Sequence, residues 1–203
     1  ARCRDFYQED ELTGEVPFGF VLIDRHEDIL AEHPQGYASE LEREWVIRSI
    51  IYSASNESIA AELSDGRMIM SSRNQKGDIR QRILSYSSDG GQTWEKSYFE
   101  PQLPDPVCQA SILDLEEKDG KTILAHSNAA DEKERNYLTV KISYDEGKTW
   151  DHVIPVDFTS DPKKLPWTAY SDLVKLDENT LGILYERDNY RQVVFKQVDW
   201  NDQ

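Results

Sequence analysis

Ser87-Ser88-Asp89-Gly90-Gly91-Gln92-Thr93-Trp94 and Ser143-Tyr144-Asp145-Glu146-Gly147-Lys148-Thr149-Trp150 are the stretches whose reading decides the fold. They agree at Ser, Asp, Gly, Thr and Trp, 56 positions apart. Each residue type has a mechanical reason to be there. The Asp side chain caps the backbone of a tight turn, Gly supplies a positive φ, Ser and Thr hydroxyls bond the turn, and Trp covers the hairpin. Two such units in one chain point to a repeated strand-turn-strand architecture.

The surroundings agree with that reading. Short runs rich in Ile, Val, Leu, Tyr and Thr, bounded by Gly, Asp, Asn or Pro, follow one another from Trp45 onward. They predict strands at 46–52, 58–62, 68–71, 82–87, 110–115, 122–126, 138–143, 171–175, 181–185 and 192–198. No long 3.6-residue period interrupts them, so the expectation is an all-β fold. Residues 1–44 are acidic and carry only two weak apolar islands, 18–23 and 29–31. They read as a poorly legible N-terminal segment, part of a preceding repeat unit, ahead of a repeat region spanning 45–203.

Composition narrows the function classes. The chain has 203 residues and a formal net charge of −16, which disfavours duplex nucleic acid or an anionic membrane as the main partner. Any anion must be met by a local Arg cluster. The two cysteines, Cys3 and Cys108, suit neither a disulfide framework nor a metal site. No stretch approaches a membrane span, and the start, Ala1 to Asp5, has no signal-peptide pattern. His26, His33, His126 and His152 are scattered and read as solvated or hairpin residues.

The repeated unit resembles the Asp-box, or bacterial neuraminidase repeat, of β-propellers, which devote one four-stranded sheet to each blade. A 56-residue period fits one blade, so the chain holds between three and four. Four further segments resemble the sialidase (neuraminidase) family: Asn56-Glu57-Ser58 with Asp65-Gly66-Arg67 and Ser72-Arg73-Asn74; Leu103 to Gln109; Arg135 to Lys141; and Ala169-Tyr170-Ser171 with Gly182 to Glu186. The resemblance implies a six-bladed propeller of which this chain is the C-terminal three to four blades, and an exo-α-sialidase that releases terminal sialic acid with retention. It also implies an acidic-sugar or sialylated-glycan partner, no cofactor, and an extracellular or periplasmic setting.

The resemblance assigns roles residue by residue. Tyr170 matches the nucleophile, an exception to the two-carboxylate rule for glycosidases. A neutral phenol suits a substrate whose anomeric carbon bears a carboxylate, because an Asp or Glu nucleophile would be repelled. A phenol with pKa about 10 needs a base, and Glu57 matches it. Arg73 and Arg135 match two members of an Arg triad that grips the carboxylate, a task suited to a planar, permanently charged guanidinium. Arg80 and Arg82 lie close after Arg73, and the Ser-Arg-Asn context selects Arg73 over them. Glu186 matches a carboxylate that orients the first Arg of the triad. That first Arg belongs to a Phe/Tyr-Arg-Ile-Pro motif, and the acid/base Asp to the following blade; Arg4-Asp5-Phe6 is a poor match to the motif. The chain therefore reads as an incomplete sialidase, whose missing N-terminal blades would be a partner. A non-catalytic propeller that binds glycans or proteins, and a related glycosidase or lyase for another acidic sugar, are the alternative readings.

Overall fold

The computed structural model describes residues 2–6, 19–23, 55–158 and 167–201. Residues 1–53 and 54–203 form two compact units. In the first, β1 (Arg2–Phe6) pairs antiparallel with β2 (Gly19–Ile23). The expected 46–52 strand and 29–31 island lie outside the described residues.

The second unit is three antiparallel sheets, each a meander, as consecutive propeller blades require. The first is β3 (Ser55–Glu62), β4 (Met68–Asn74), β5 (Gln81–Ser87) and β6 (Lys96–Pro104). The second is β7 (Ser111–Lys118), β8 (Lys121–Ala129), β9 (Leu138–Ser143) and β10 (His152–Asp157). The third is β11 (Thr168–Lys175), β12 (Thr180–Arg187) and β13 (Gln192–Asp199), so it has three strands among the described residues where four are expected. All are in sequence order, and β7 packs beside both β3 and β11.

Burial follows from that stacking. The middle sheet has a neighbour on each face, and β8 is accordingly buried from Thr122 to Ala129. Its Leu124 joins Ile69, Leu84, Leu103 and Trp150 in one core. Ile123 and Ala125, pointing the other way, join Leu138, Ile183 and Trp200 in a second. Strands β6 and β10 are absent from the expected set, and both carry prolines in sequence. Each lies at the outer edge of its sheet, the position where a missing backbone donor does least harm.

The two Asp-boxes close the β5–β6 and β9–β10 hairpins with matching bonds. Asp89 accepts from the Thr93 backbone at 2.8 Å and the Thr93 hydroxyl at 2.6 Å. Asp145 accepts from the Thr149 backbone at 2.8 Å and its hydroxyl at 2.9 Å. Ser87 and Ser143 hydroxyls receive the Gly91 and Gly147 backbone N–H at 2.9 and 2.8 Å. Their tryptophans differ: Trp150 is buried in the core, whereas Trp94 is half-buried. The second box has the first sheet to pack on, with Glu146 accepting from Ser64 at 2.9 Å and from Arg67 at 3.0 Å.

Candidate active site

Strand direction sorts the rims. The Asp-box turns follow the ends of β5 and β9, whereas the starts of β3, β9 and β11 and the ends of β4 and β12 lie at the opposite rim. Glu57, Arg73, Arg135, Tyr170 and Glu186 all belong to that opposite rim.

Two β-bulges aim the key side chains. The β3–β4 register shifts between Asn56 and Ser58, which leaves Glu57 outside the ladder with φ 20°. Asn56 Oδ1 receives the freed Glu57 N–H at 2.7 Å. On β11 the register shifts between Thr168 and Ser171, and Tyr170 sits inside that irregularity. Its N–H is taken by the Glu186 carboxylate at 3.2 Å. A bulge re-aims one side chain without dismantling the sheet, which is why bulges gather at sites.

Between these strands a compact network forms. The Tyr170 hydroxyl donates to Glu57 Oε1. Arg73 Nη1 donates to Glu57 Oε2 at 2.6 Å and to the Tyr170 hydroxyl at 3.3 Å. The Arg135 guanidinium lies 5.9 Å from the Tyr170 ring centroid. A cavity of about 480 Å³ opens beside Glu57, Gln109, Tyr170 and Glu186, a volume within the range of small-molecule sites. Arg73 and Arg135 stand outside its lining.

The electrostatics of the network are ordered. Burial, then the adjacent Glu57 carboxylate, pushes the Tyr170 hydroxyl up to about 12. The phenol is thus neutral at any ordinary pH. Burial works against the Arg73 charge, but the Glu57 carboxylate outweighs it and holds the guanidinium above its usual range. Arg73 Nε is buried and has no hydrogen-bond partner among the described residues. Such an orphaned cationic donor is unusual in a native interior and suits an anionic ligand.

Comparison with known proteins bears on this arrangement. The BNR repeat-like domain family matches residues 27–183. The chain belongs to this family. Sialidases of Bacteroides fragilis and Micromonospora viridifaciens are each 32% identical to it over 156 and 155 residues, 74% of the chain in both cases. The solved Hadza microbial sialidase Hz136 is 28% identical, with a TM-score of 0.60, covering 72% of this chain and 28% of its own. The match takes in 27% and 23% of the two curated relatives, so the chain spans about a quarter of their length.

Within this BNR-repeat chain, neighbouring cations are sorted by burial. Arg82 is wholly buried and donates to Asp105 at 3.2 Å, to the Cys108 carbonyl at 2.6 Å and to Ser71, so it ties the first sheet to the segment leading into β7. Cys108 is a buried free thiol, pushed up to about 11 by burial. Of the two expectations for His126, a solvated or a hairpin residue, the solvated one is corrected, and the residue lies in the β7–β8 hairpin. It is fully buried against Trp150, 5.6 Å between ring centroids, and bonded to the Ser71 hydroxyl at 3.0 Å, because β8 has no solvent-facing side.

Several residues at the rim were not singled out from sequence. Gln109 exchanges two bonds with the Ser171 backbone, at 2.9 and 3.1 Å, and so ties the approach to β7 onto β11 beside Tyr170. Trp167 and Tyr190 surround the Arg135 guanidinium. Their signals were weak ones: Gln109 ends a segment already matched to the family, Trp167 lies three positions before Tyr170, and Tyr190 follows an Asp-Asn turn pair.

Proposed function

We propose that these residues are the nucleophile side of a retaining exo-α-sialidase site, acting on glycans that end in sialic acid. The observation that carries this reading is the Tyr170–Glu57–Arg73 network, in which one carboxylate faces a phenol hydroxyl and a guanidinium together. Glu57 takes the phenol proton as the Tyr170 oxygen bonds to the anomeric carbon, and the bond to the departing sugar oxygen breaks. Arg73 offsets the negative charge as it passes from Glu57 to the phenol oxygen, and with Arg135 it holds the substrate carboxylate. Water completes the second displacement, so configuration is retained. Glu186, through its bond to the Tyr170 N–H, sets the backbone that presents the nucleophile.

The leaving oxygen needs a proton, and the family resemblance puts that acid, like the first Arg of the triad, in blades ahead of these. Turnover of ordinary sialosides by the 203-residue chain is therefore expected to be negligible. A sialosyl fluoride tests the nucleophile directly, since fluoride departs without a general acid. A 3-fluoro-sialosyl fluoride, whose second fluorine slows release, should leave a glycosyl adduct on the tryptic peptide containing Tyr170. No adduct at Tyr170, or an equal adduct in Tyr170→Phe, would sink the reading.

A further inference from the structure

Eight non-glycine residues among the described ones have left-handed backbone, and only Asp119 and Glu146 lie in turns at the Asp-box rim. Glu57 belongs to the candidate site itself, and four others build one feature beside it. Val107 has φ 63°, a costly state for a β-branched residue. Asp188, Asn189 and Tyr190 form a run with φ 51°, 53° and 65°, in the turn between β12 and β13. Left-handed residues normally occur singly. Nothing in closing a hairpin demands three of them in a row, and such strain persists only where the surroundings enforce it.

What the strained residues share is Arg135. Its Nη1 donates to the Tyr190 hydroxyl and its Nη2 to the Val107 carbonyl at 3.3 Å. The Trp167 ring lies 5.7 Å from the guanidinium and meets the Tyr190 ring edge-on at 4.2 Å. The Asp188 N–H anchors the turn to the Trp167 carbonyl at 2.9 Å, and Thr168 N–H bonds the Arg135 carbonyl at 2.8 Å. Arg135 is only half-buried, and holding a solvent-accessible cation contributes little to folding. Strain spent there gains its purpose from direction: a guanidinium already facing its partner loses less freedom when it binds.

We infer that Tyr190 is a positioning residue, whose hydroxyl on the strained turn fixes the Arg135 guanidinium beside Tyr170 for a ligand carboxylate; the carboxylate rests on the function proposed above. The test uses the 203-residue chain, arginine-labelled with ¹⁵N, and compares wild type with Tyr190→Phe. That variant keeps the ring on Trp167 and loses only the acceptor. Rotation about the Arg135 Cζ–Nη bonds, read from line shapes, should speed up. The Kd for N-acetylneuraminic acid should rise about tenfold, the scale of one lost bond to a charged group, with no change for the methyl ester. Asp119→Gly relieves a left-handed cost at the Asp-box rim, away from Arg135, and should leave both readouts at wild-type values. Unchanged rotation in Tyr190→Phe overturns the inference, as does an equal disturbance in Asp119→Gly or an unchanged Kd in a chain that binds. If rotation responds but wild type binds no acidic sugar, Tyr190 still positions Arg135 and the carboxylate reading falls instead.

Discussion

At the scale of single residues, the Tyr170 hydroxyl donates to Glu57, the one carboxylate that reaches it among the described residues. In the function proposed above, a hydroxyl pushed up to about 12 assigns Glu57 the task of taking the proton during attack. Tyr170→Phe should therefore abolish adduct formation while changing the Kd for N-acetylneuraminic acid less than threefold, because Arg73 and Arg135 remain. Glu57→Gln should slow labelling by roughly 10²- to 10⁴-fold, the usual worth of a positioned base. Stopped-flow fluoride release measures both, and a Glu57→Gln rate equal to wild type would remove Glu57 from the chemistry. Glu57, Arg73 and Tyr170 were legible in sequence through the resemblance of their short segments to the family. The cradle of Arg135 was not, since Val107 and Tyr190 owe their place to backbone angles that their side chains disfavour.

At the scale of elements, the two Asp-boxes show how one motif acquires two energies. Gly91 and Gly147 occupy the same place in their turns, with φ 86° and 84°. A Cβ at Gly91 would meet Trp94 and Met68 at ordinary contact distance, 3.5 and 3.6 Å. At Gly147 it would lie 2.5 Å from Ile69 Cδ1 and 3.0 Å from the Tyr86 hydroxyl. Ile69 is wholly buried and cannot step aside, and the Tyr86 hydroxyl is held by the Glu146 carbonyl at 3.1 Å. Gly91→Ala should then cost about 1–2 kcal/mol for the left-handed backbone alone. Gly147→Ala should cost a further ~1–3 kcal/mol for overpacking. Urea denaturation of the two variants decides it, and equal midpoints would show that the second box is not wedged against the first sheet. Sequence revealed the boxes but not this difference, which comes from a neighbouring sheet. It also passed over β6 and β10, where Pro101, Pro104 and Pro155 mask edge strands from a reading based on β-branched runs.

Across the whole propeller portion, the joint between the first two sheets is polar at its centre. Ser71 of β4 bonds both His126 of β8 and the Arg82 guanidinium, and Arg82 in turn holds Asp105. Burial, with Arg82 and Lys141 nearby, lowers His126 well below the usual imidazole range, so the folded chain keeps the ring neutral. An unfolded His takes up a proton near pH 6.5. Below that pH the unfolded state binds the extra proton, and stability must fall as the solution is acidified, by at most ~1.4 kcal/mol per pH unit for one group. The Asp-box carboxylates act in a separate window. Asp89, lowered to about 2 chiefly by its bonds to Thr93, and Asp145, also lowered, lend stability that is complete above about pH 4 and lost only as the pH drops further. Between pH 7.5 and 5.5 the histidine therefore stands clear of them. His126→Gln keeps a hydrogen-bonding group for Ser71 and cannot titrate, so its urea midpoint should fall less than wild type over that interval, even if it begins lower. Parallel slopes for the two proteins would mean that the joint between the sheets admits a charged imidazole after all, and that burial of β8 on both faces does not govern how this fold responds to acid.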